Sequence, residues 1–184
     1  MALVIGTNCG FVSSAPVDDP EGTSTLQDNY AIAINDTAPE GAVKVTEIGW
    51  WCDNATQEAN FEVAIYTDDA GHTYPKDLVG SKSDTNAKGT GAGWKRVTGL
   101  NISITAGNVY WIAVQLDDTS TSTQAVYDTL GGSTARSAIS GASTLNDPWG
   151  STNTGATYRA FYAVYETAAG GLKIPVAMHH YMNH

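Results

Sequence analysis

Residues 109–116 read Val-Tyr-Trp-Ile-Ala-Val-Gln-Leu, and they include the longest apolar run of the chain. A run of this length fits a strand and falls far short of the roughly 18 apolar residues that a membrane-spanning helix needs. Its apolar side chains occupy both alternating faces. This pattern predicts a central strand that the rest of the protein covers on both sides.

Strand-like runs separated by turn clusters lie on both sides of this segment. The alternation in residues 61–66 places Phe61, Val63 and Ile65 on one face of a predicted strand. In residues 43–50 the alternation slips by one position at Glu47, which predicts a β-bulge. Residues 158–165 form the predicted closing strand. About eight such strands, with no sustained helical period, predict an all-β protein, a jelly-roll-like antiparallel β-sandwich.

The composition excludes several classes of protein. The chain has 184 residues, of which 42% are hydrophobic, so it can bury a core and is not disordered. Only 15% are charged, and the formal net charge is −10. The nine Lys and Arg residues are scattered singly, apart from Lys95 and Arg96. Nucleic acids and anionic membranes attract clustered bases, so neither is an expected partner.

The chain divides by composition into three parts. Residues 1–28 show no strand period and are predicted to be an extended N-terminal arm. Residues 29–167 form the predicted β-sandwich domain. Residues 168–184 form a predicted C-terminal tail, which includes the pair Gly170-Gly171 and contains three His and no acid. The N-terminus also lacks the basic and apolar regions of a secretory signal, so we expect either a mature fragment given a new Met or a protein made without export.

The central stretch, residues 43–116, has a recognisable order of motifs. It runs from Val-Thr-Glu-Ile-Gly-Trp at residues 45–50, through Phe-Glu-Val-Ala-Ile-Tyr-Thr-Asp-Asp-Ala-Gly at 61–71, to Thr-Ala-Gly-Asn-Val-Tyr-Trp at 105–111. This order resembles the jelly-roll modules of phage structural proteins and of bacterial surface proteins similar to carbohydrate-binding modules. The resemblance implies a sandwich used in glycan binding, adhesion or capsid decoration. It brings no catalytic signature, and a fold alone does not choose among these roles.

Aromatic residues outside the predicted core are candidates for ligand or interface contacts. Trp149 lies in the turn Asn-Asp-Pro-Trp-Gly at residues 146–150, where we expect its ring and the neighbouring Asp147 to be exposed. Trp94 and Trp51 are the other candidates. Exposed aromatic rings serve as stacking platforms for sugars, and they equally mark protein interfaces. Trp50 and Trp111 are expected in the core.

Metal sites and a disulfide are open alternatives. Calcium binds several oxygen ligands from loops, so Asp68, Asp69, Asp117 and Asp118 are candidates, although turn formation explains these pairs equally well. The tail places His180 and His184 four residues apart, a spacing that can chelate a transition metal on a helix. We expect no cofactor, with calcium as the alternative. Cys9 and Cys52 are either a disulfide or two separate thiols.

Together these features predict a non-enzymatic protein of a virion or cell surface. The first hypothesis is a capsid decoration, cement or fibre-type protein of a bacterial virus, located on the virion surface. Its arms would bind neighbouring subunits in a homo-oligomer. The alternative is a carbohydrate-binding module or adhesin at a bacterial surface or outside the cell, with a cell-surface glycan as partner.

Overall fold

A computed structural model describes residues 2–12, 15–17, 20, 24–27, 29–52, 61–85, 91–116, 122–125, 136–155 and 159–168. These residues form strands and turns, with no helix among them. The thirteen strands, β1 to β13 in chain order, are Cys9–Gly10, Ser24–Gln27, Tyr30–Thr37, Ala42–Cys52, Phe61–Asp68, Pro75–Leu78, Ser83–Thr85, Gly93–Ser103, Val109–Leu116, Ser122–Ala125, Arg136–Ser140, Thr154–Gly155 and Phe161–Thr167.

The strands form two main sheets, and every pair of named strands is antiparallel. The front sheet has the strand order β1-β13-β4-β8. The back sheet has the order β12-β11-β3-β9-β5-β6, and β7 also pairs with β5. Strands β2 and β10 pair with each other outside both sheets. The predicted all-β sandwich is confirmed.

The main core lies between the two sheets. Strand β9 lies between β3 and β5 and is buried on both faces, as its sequence predicts. Trp50 of the front sheet packs edge-on against Phe61 of the back sheet, with ring centroids 5.3 Å apart. Each sheet contributes its apolar side chains by the two-residue alternation of a strand. Alternation in β4 changes phase near Glu47, where the pairing with β8 shifts register between Val45 and Glu47, so the predicted bulge is confirmed.

The outer face of the front sheet is partly covered by the N-terminal segment. Cys9 pairs with Val164 of β13, and the Tyr165 amide donates a hydrogen bond to the Asn8 carbonyl at 2.9 Å. The side chains of Cys9 and Val12 are buried. The expectation that residues 1–28 lack strands is therefore wrong at β1 and β2. Residues 169–184, including the predicted tail, lie outside the described residues.

In the part of the chain that the structure describes, no helix is both long and apolar enough to cross a membrane.

Candidate functional site

Trp149 is completely buried, so the expectation of an exposed ring is wrong. The segment 141–150 folds across the outer face of the back sheet instead of extending into solvent. The indole N–H of Trp149 donates a hydrogen bond to Ser137 Oγ at 2.9 Å, and its ring packs edge-on against Tyr66 at 5.2 Å. A ring with no exposed surface offers no platform for a sugar or a subunit. The role of Trp149 is thus to join this segment to the sheet.

Small side chains on the back sheet explain why the ring fits there. On the outer face of the sheet, two alternating alanines of β3 and one alanine each of β5 and β9 pack with Trp149 in one cluster, which contains Ala31, Ala33, Ala64 and Ala113. Alanine leaves space above a sheet that a large ring from another segment can fill. These alanines were the sequence signal for a covering segment.

Hydrogen bonds also hold the segment 141–150 against the back sheet at positions other than Trp149. The exposed Asp147 accepts a hydrogen bond from the Leu78 amide through Oδ1 at 3.1 Å. Glu62, on β5, accepts one from the Leu145 amide at 2.6 Å and pairs with Lys82 at 3.0 Å. The Tyr66 hydroxyl donates to the Asn146 carbonyl at 2.6 Å. Asp147 and Trp149 therefore act within the fold, and neither is part of an open site.

The acidic pair at the end of β5 is used in turn formation. Asp69 accepts hydrogen bonds from the amides of Thr73 and Tyr74 at 2.6 and 3.1 Å, and from the Gly71 amide at 3.1 Å. Burial acts to raise the pKa of this carboxyl, but the hydrogen bonds outweigh it and lower the pKa below its ordinary value of 3.8. Asp68 accepts the indole N–H of Trp111 at 2.6 Å.

Asp68 also contacts His72 Nδ1, so both of its oxygens are engaged. Among the described residues, no three His, Cys, Asp or Glu side chains converge as metal ligands would. The other candidates, Asp117, Asp118, His180 and His184, lie outside the described residues. Metal binding at those positions stays a prediction.

The two cysteines are separate buried thiols. Cys52 belongs to the core between the sheets, whereas Cys9 belongs to a cluster on the outer face of the front sheet with Val12 and Tyr162. Burial, together with the nearby Glu47 carboxylate, raises the pKa of the Cys9 thiol to about 12.

The outer face of the front sheet holds an aromatic patch, which consists of Trp51, Trp94 and Tyr162. Trp51 and Trp94 are directly opposed on β4 and β8, and their rings pack edge-on at 5.5 Å. Trp94 packs edge-on against Tyr162 of β13 at 5.2 Å. Tyr162 is fully buried and Trp51 is 8% exposed, whereas Trp94 is half-buried. Trp94 is thus the member of the patch that presents ring surface to solvent.

A glycine makes this arrangement fit. Gly49 lies beside Tyr162 in the pairing of β4 with β13, and a Cβ atom there would lie 2.2 Å from Tyr162 Cε1. The phenol ring therefore occupies the space of the missing side chain. Its hydroxyl donates a hydrogen bond to Glu47. Burial, followed by this hydrogen bond, raises the pKa of Tyr162 well above its ordinary value, so the hydroxyl keeps its proton.

Charged and polar groups border the patch on the same face. Outward positions alternate along β8, so Trp94 is followed by the exposed Arg96 and then the exposed Thr98. Arg96 is opposed by Gly49, and Thr98 by the half-buried Glu47. Lys95, between Trp94 and Arg96, is buried, and its ammonium donates a hydrogen bond to the Gly91 carbonyl at 2.8 Å. Arg96 thus faces solvent beside the ring of Trp94.

One polar atom of the patch stands out. Within the described residues, the buried indole N–H of Trp51 has no hydrogen-bond partner. Buried donors are nearly always paired with protein or water. The sequence identified Trp94 and Trp51 as contact candidates outside the core, which is wrong for the buried Trp51, and it did not identify Tyr162, Arg96 or Gly49. A glycine within a long strand was the available signal, because it often marks a close approach of another group.

The fold is similar to part of two solved structures of the cysteine protease Cwp84. One, a Clostridial Cwp84 after propeptide cleavage, matches with a TM-score of 0.50 at 16% identity, over 79% of this chain and 38% of the other. The second contains the cysteine protease and lectin-like domains of Cwp84, a surface layer associated protein of Clostridium difficile. Its TM-score is 0.49 at 15% identity, over 84% of this chain and 37% of the other. The chain spans less than two-fifths of the length of either.

At 16% identity, the similarity to the first structure shows a shared fold alone. No protein-family model matches the chain, and no curated protein matches it.

Proposed function

We propose that the chain is a non-enzymatic carbohydrate-binding module of an extracellular or cell-surface protein, and that sugars bind on the aromatic patch. The observation that carries this proposal is the half-buried Trp94, held edge-on between Trp51 and Tyr162. Its exposed ring surface is fixed before a ligand arrives. Fixing a side chain in advance lowers the entropic cost of binding.

The surroundings of Trp94 suit a ligand that is apolar on one face and polar at its rim, as a sugar ring is. Arg96 and Thr98 are exposed on the same strand and face, and they supply hydrogen-bond donors. Glu47 supplies an acceptor. A ligand hydroxyl or a bridging water near Trp51 would satisfy its unpaired N–H. Binding sites commonly combine an aromatic surface with a few such polar groups.

The proposed location, outside the cell or at the cell surface, rests on the similarity of fold to Cwp84. Cwp84, part of which is similar in fold to this chain, is a surface layer associated protein with a lectin-like domain. The two reported structures lend nothing to the virion hypothesis. The N-terminal segment also packs on its own sheet at Cys9 and Val12. We therefore favour the glycan-binding alternative over a capsid decoration protein.

Titration of the full chain with oligosaccharides tests this proposal. Binding should appear with at least one glycan class on an array, and Trp94→Ala should weaken it by about 1–3 kcal/mol, the cost typical of an aromatic contact at the centre of a site. Tyr74→Ala is the matched control, because Tyr74 is also half-buried but lies in the turn that precedes β6 of the back sheet.

Unchanged glycan affinity in Trp94→Ala, with the variant still folded by circular dichroism, would refute the patch as the binding site. Co-purification with a capsid, together with no glycan binding, would restore the virion hypothesis.

A further inference from the structure

Arg96 is an exposed cation beside the aromatic patch in a chain of net charge −10. Residues two apart in a strand share a face, so the Cα atom of Arg96 lies about 7 Å along β8 from the Cα atom of Trp94. None of the ion pairs in the described part of the chain includes Arg96. Its charge is therefore available to a ligand that covers Trp94.

The fold keeps a protein carboxylate away from the position directly opposite. The cross-strand partner of Arg96 is Gly49, which has no side chain, and the Tyr162 ring occupies the space above it. The nearest acid in the pairing pattern is Glu47, which opposes Thr98 and accepts the Tyr162 hydroxyl. Glu47 and Arg96 both act on Tyr162 electrostatically, but they do so without forming an ion pair with each other.

The order of groups along the face sets where a negative charge can bind. Arg96 lies between Trp94 and Thr98 on β8, and Glu47 lies across from Thr98, on the side of Arg96 away from Trp94. A carboxylate above Trp94 would thus approach Arg96 from the side opposite to Glu47. Lys95 does not share this role, because it is buried and donates to Gly91.

We propose that the ligand of the aromatic patch is an acidic sugar, in which a ring carboxylate pairs with Arg96 while the ring stacks on Trp94. This inference rests on the proposed carbohydrate-binding function. Arginine matches a carboxylate with two parallel hydrogen bonds, which suits it to this recognition. A polyanion such as a nucleic acid would require several clustered bases, whereas among the described residues of β8 Arg96 is the one exposed base beside Trp94.

Isothermal titration of the full chain with cellobiouronic acid and with cellobiose provides a matched pair of acidic and neutral disaccharides. We expect the acidic sugar to bind about threefold to tenfold more tightly than the neutral one. This range is typical of a charge-assisted hydrogen-bonded pair that is partly exposed to solvent. Arg96→Gln should abolish this preference, because it lowers the affinity for the acidic disaccharide more than the affinity for cellobiose. Lys76→Gln is the control, because it removes an equal charge from an exposed site on the back sheet.

The outcomes separate the two proposals. Equal affinity for the two disaccharides, or a preference that survives Arg96→Gln, would overturn the acidic-sugar inference and leave carbohydrate binding in place. Failure of both sugars, and of every other glycan, would overturn both. A preference that Lys76→Gln reduces as much as Arg96→Gln would indicate general charge attraction, which also contradicts the pairing with Arg96.

Discussion

The Tyr162 ring lies where the side chain of residue 49 would be, since a Cβ on Gly49 would be 2.2 Å from Tyr162 Cε1. This distance is too short for two carbon atoms, so only glycine permits the ring to lie across β4 and reach Trp94 on β8. The glycine at position 49 thereby determines the geometry of an aromatic patch that spans three strands, β13, β4 and β8.

Gly49→Ala should displace Tyr162 and destabilise the protein by about 1–3 kcal/mol, the usual cost of overpacking. The free energy of unfolding in urea measures this loss. Gly91→Ala is the control, because nothing lies within 4 Å of a Cβ at that position and its φ is not in the left-handed region. It should change stability by less than about 0.5 kcal/mol. Equal losses in the free energy of unfolding for the two variants would show that the Tyr162 ring moves away from residue 49 without destabilising the protein.

Trp149→Ala should reduce the free energy of unfolding by about 3–5 kcal/mol, because it removes a fully buried ring. Trp149→Phe is the matched variant, since it keeps a ring and loses the hydrogen bond to Ser137. It should cost less than the alanine variant, and Ser137→Ala should cost about 1 kcal/mol. A shift of only a few tenths of a kcal/mol for Trp149→Ala would indicate an exposed ring after all.

Asp69 should stabilise the folded state at neutral pH and lose this effect in acid. The hydrogen bonds lower its pKa in the folded state, so its contribution is present above the ordinary value of 3.8 and declines as the pH falls through the lower folded pKa. The stability difference between the protein and Asp69→Asn should therefore shrink between pH 7 and pH 3. Urea unfolding at both pH values measures it.

Asp77→Asn serves as the comparison for Asp69, because Asp77 is exposed on a neighbouring strand, where its carboxylate lies 3.9 Å from Lys76. The difference in the free energy of unfolding between the protein and Asp77→Asn should be small at both pH values. A difference for Asp69→Asn that stays constant or grows in acid would contradict the assigned hydrogen bonds.

Both thiols should resist modification in the folded protein. Cys9 and Cys52 are buried, and burial raises the pKa of Cys9 to about 12, so almost no thiolate is present at pH 8. A thiol-specific reagent should label neither residue until denaturant is added, and both afterwards. Rapid labelling of the native protein, or the absence of two free thiols after unfolding, would contradict the described state.

Local pattern was enough to predict much of the fold. The shared core face of Phe61, Val63 and Ile65, the bulge at Glu47 and the doubly buried β9 all follow from which side chains can share a face. These features depend on neighbours in sequence, which a single chain displays directly.

The placement of Trp149 could not be predicted in this way. Its sequence correctly indicates a turn, but the position of that turn over the back sheet depends on contacts with Tyr66 and Ser137, which are distant in sequence. Likewise, Tyr162 and Gly49 are separated by more than a hundred residues and meet only through sheet pairing. Tertiary contacts of this kind can be reflected in the composition, as in the alanines of the back sheet. The composition does not show which residue fills the space above them.

The most direct test of the glycan-binding account follows the five indole N–H signals of the full chain by nuclear magnetic resonance during titration with an oligosaccharide found on the array. Single tryptophan variants assign the signals. The account predicts shifts at Trp94 and Trp51, with the buried Trp111 and Trp149 of the back-sheet cluster unchanged. Shifts confined to Trp111 and Trp149, or binding without any change at Trp94, would contradict it.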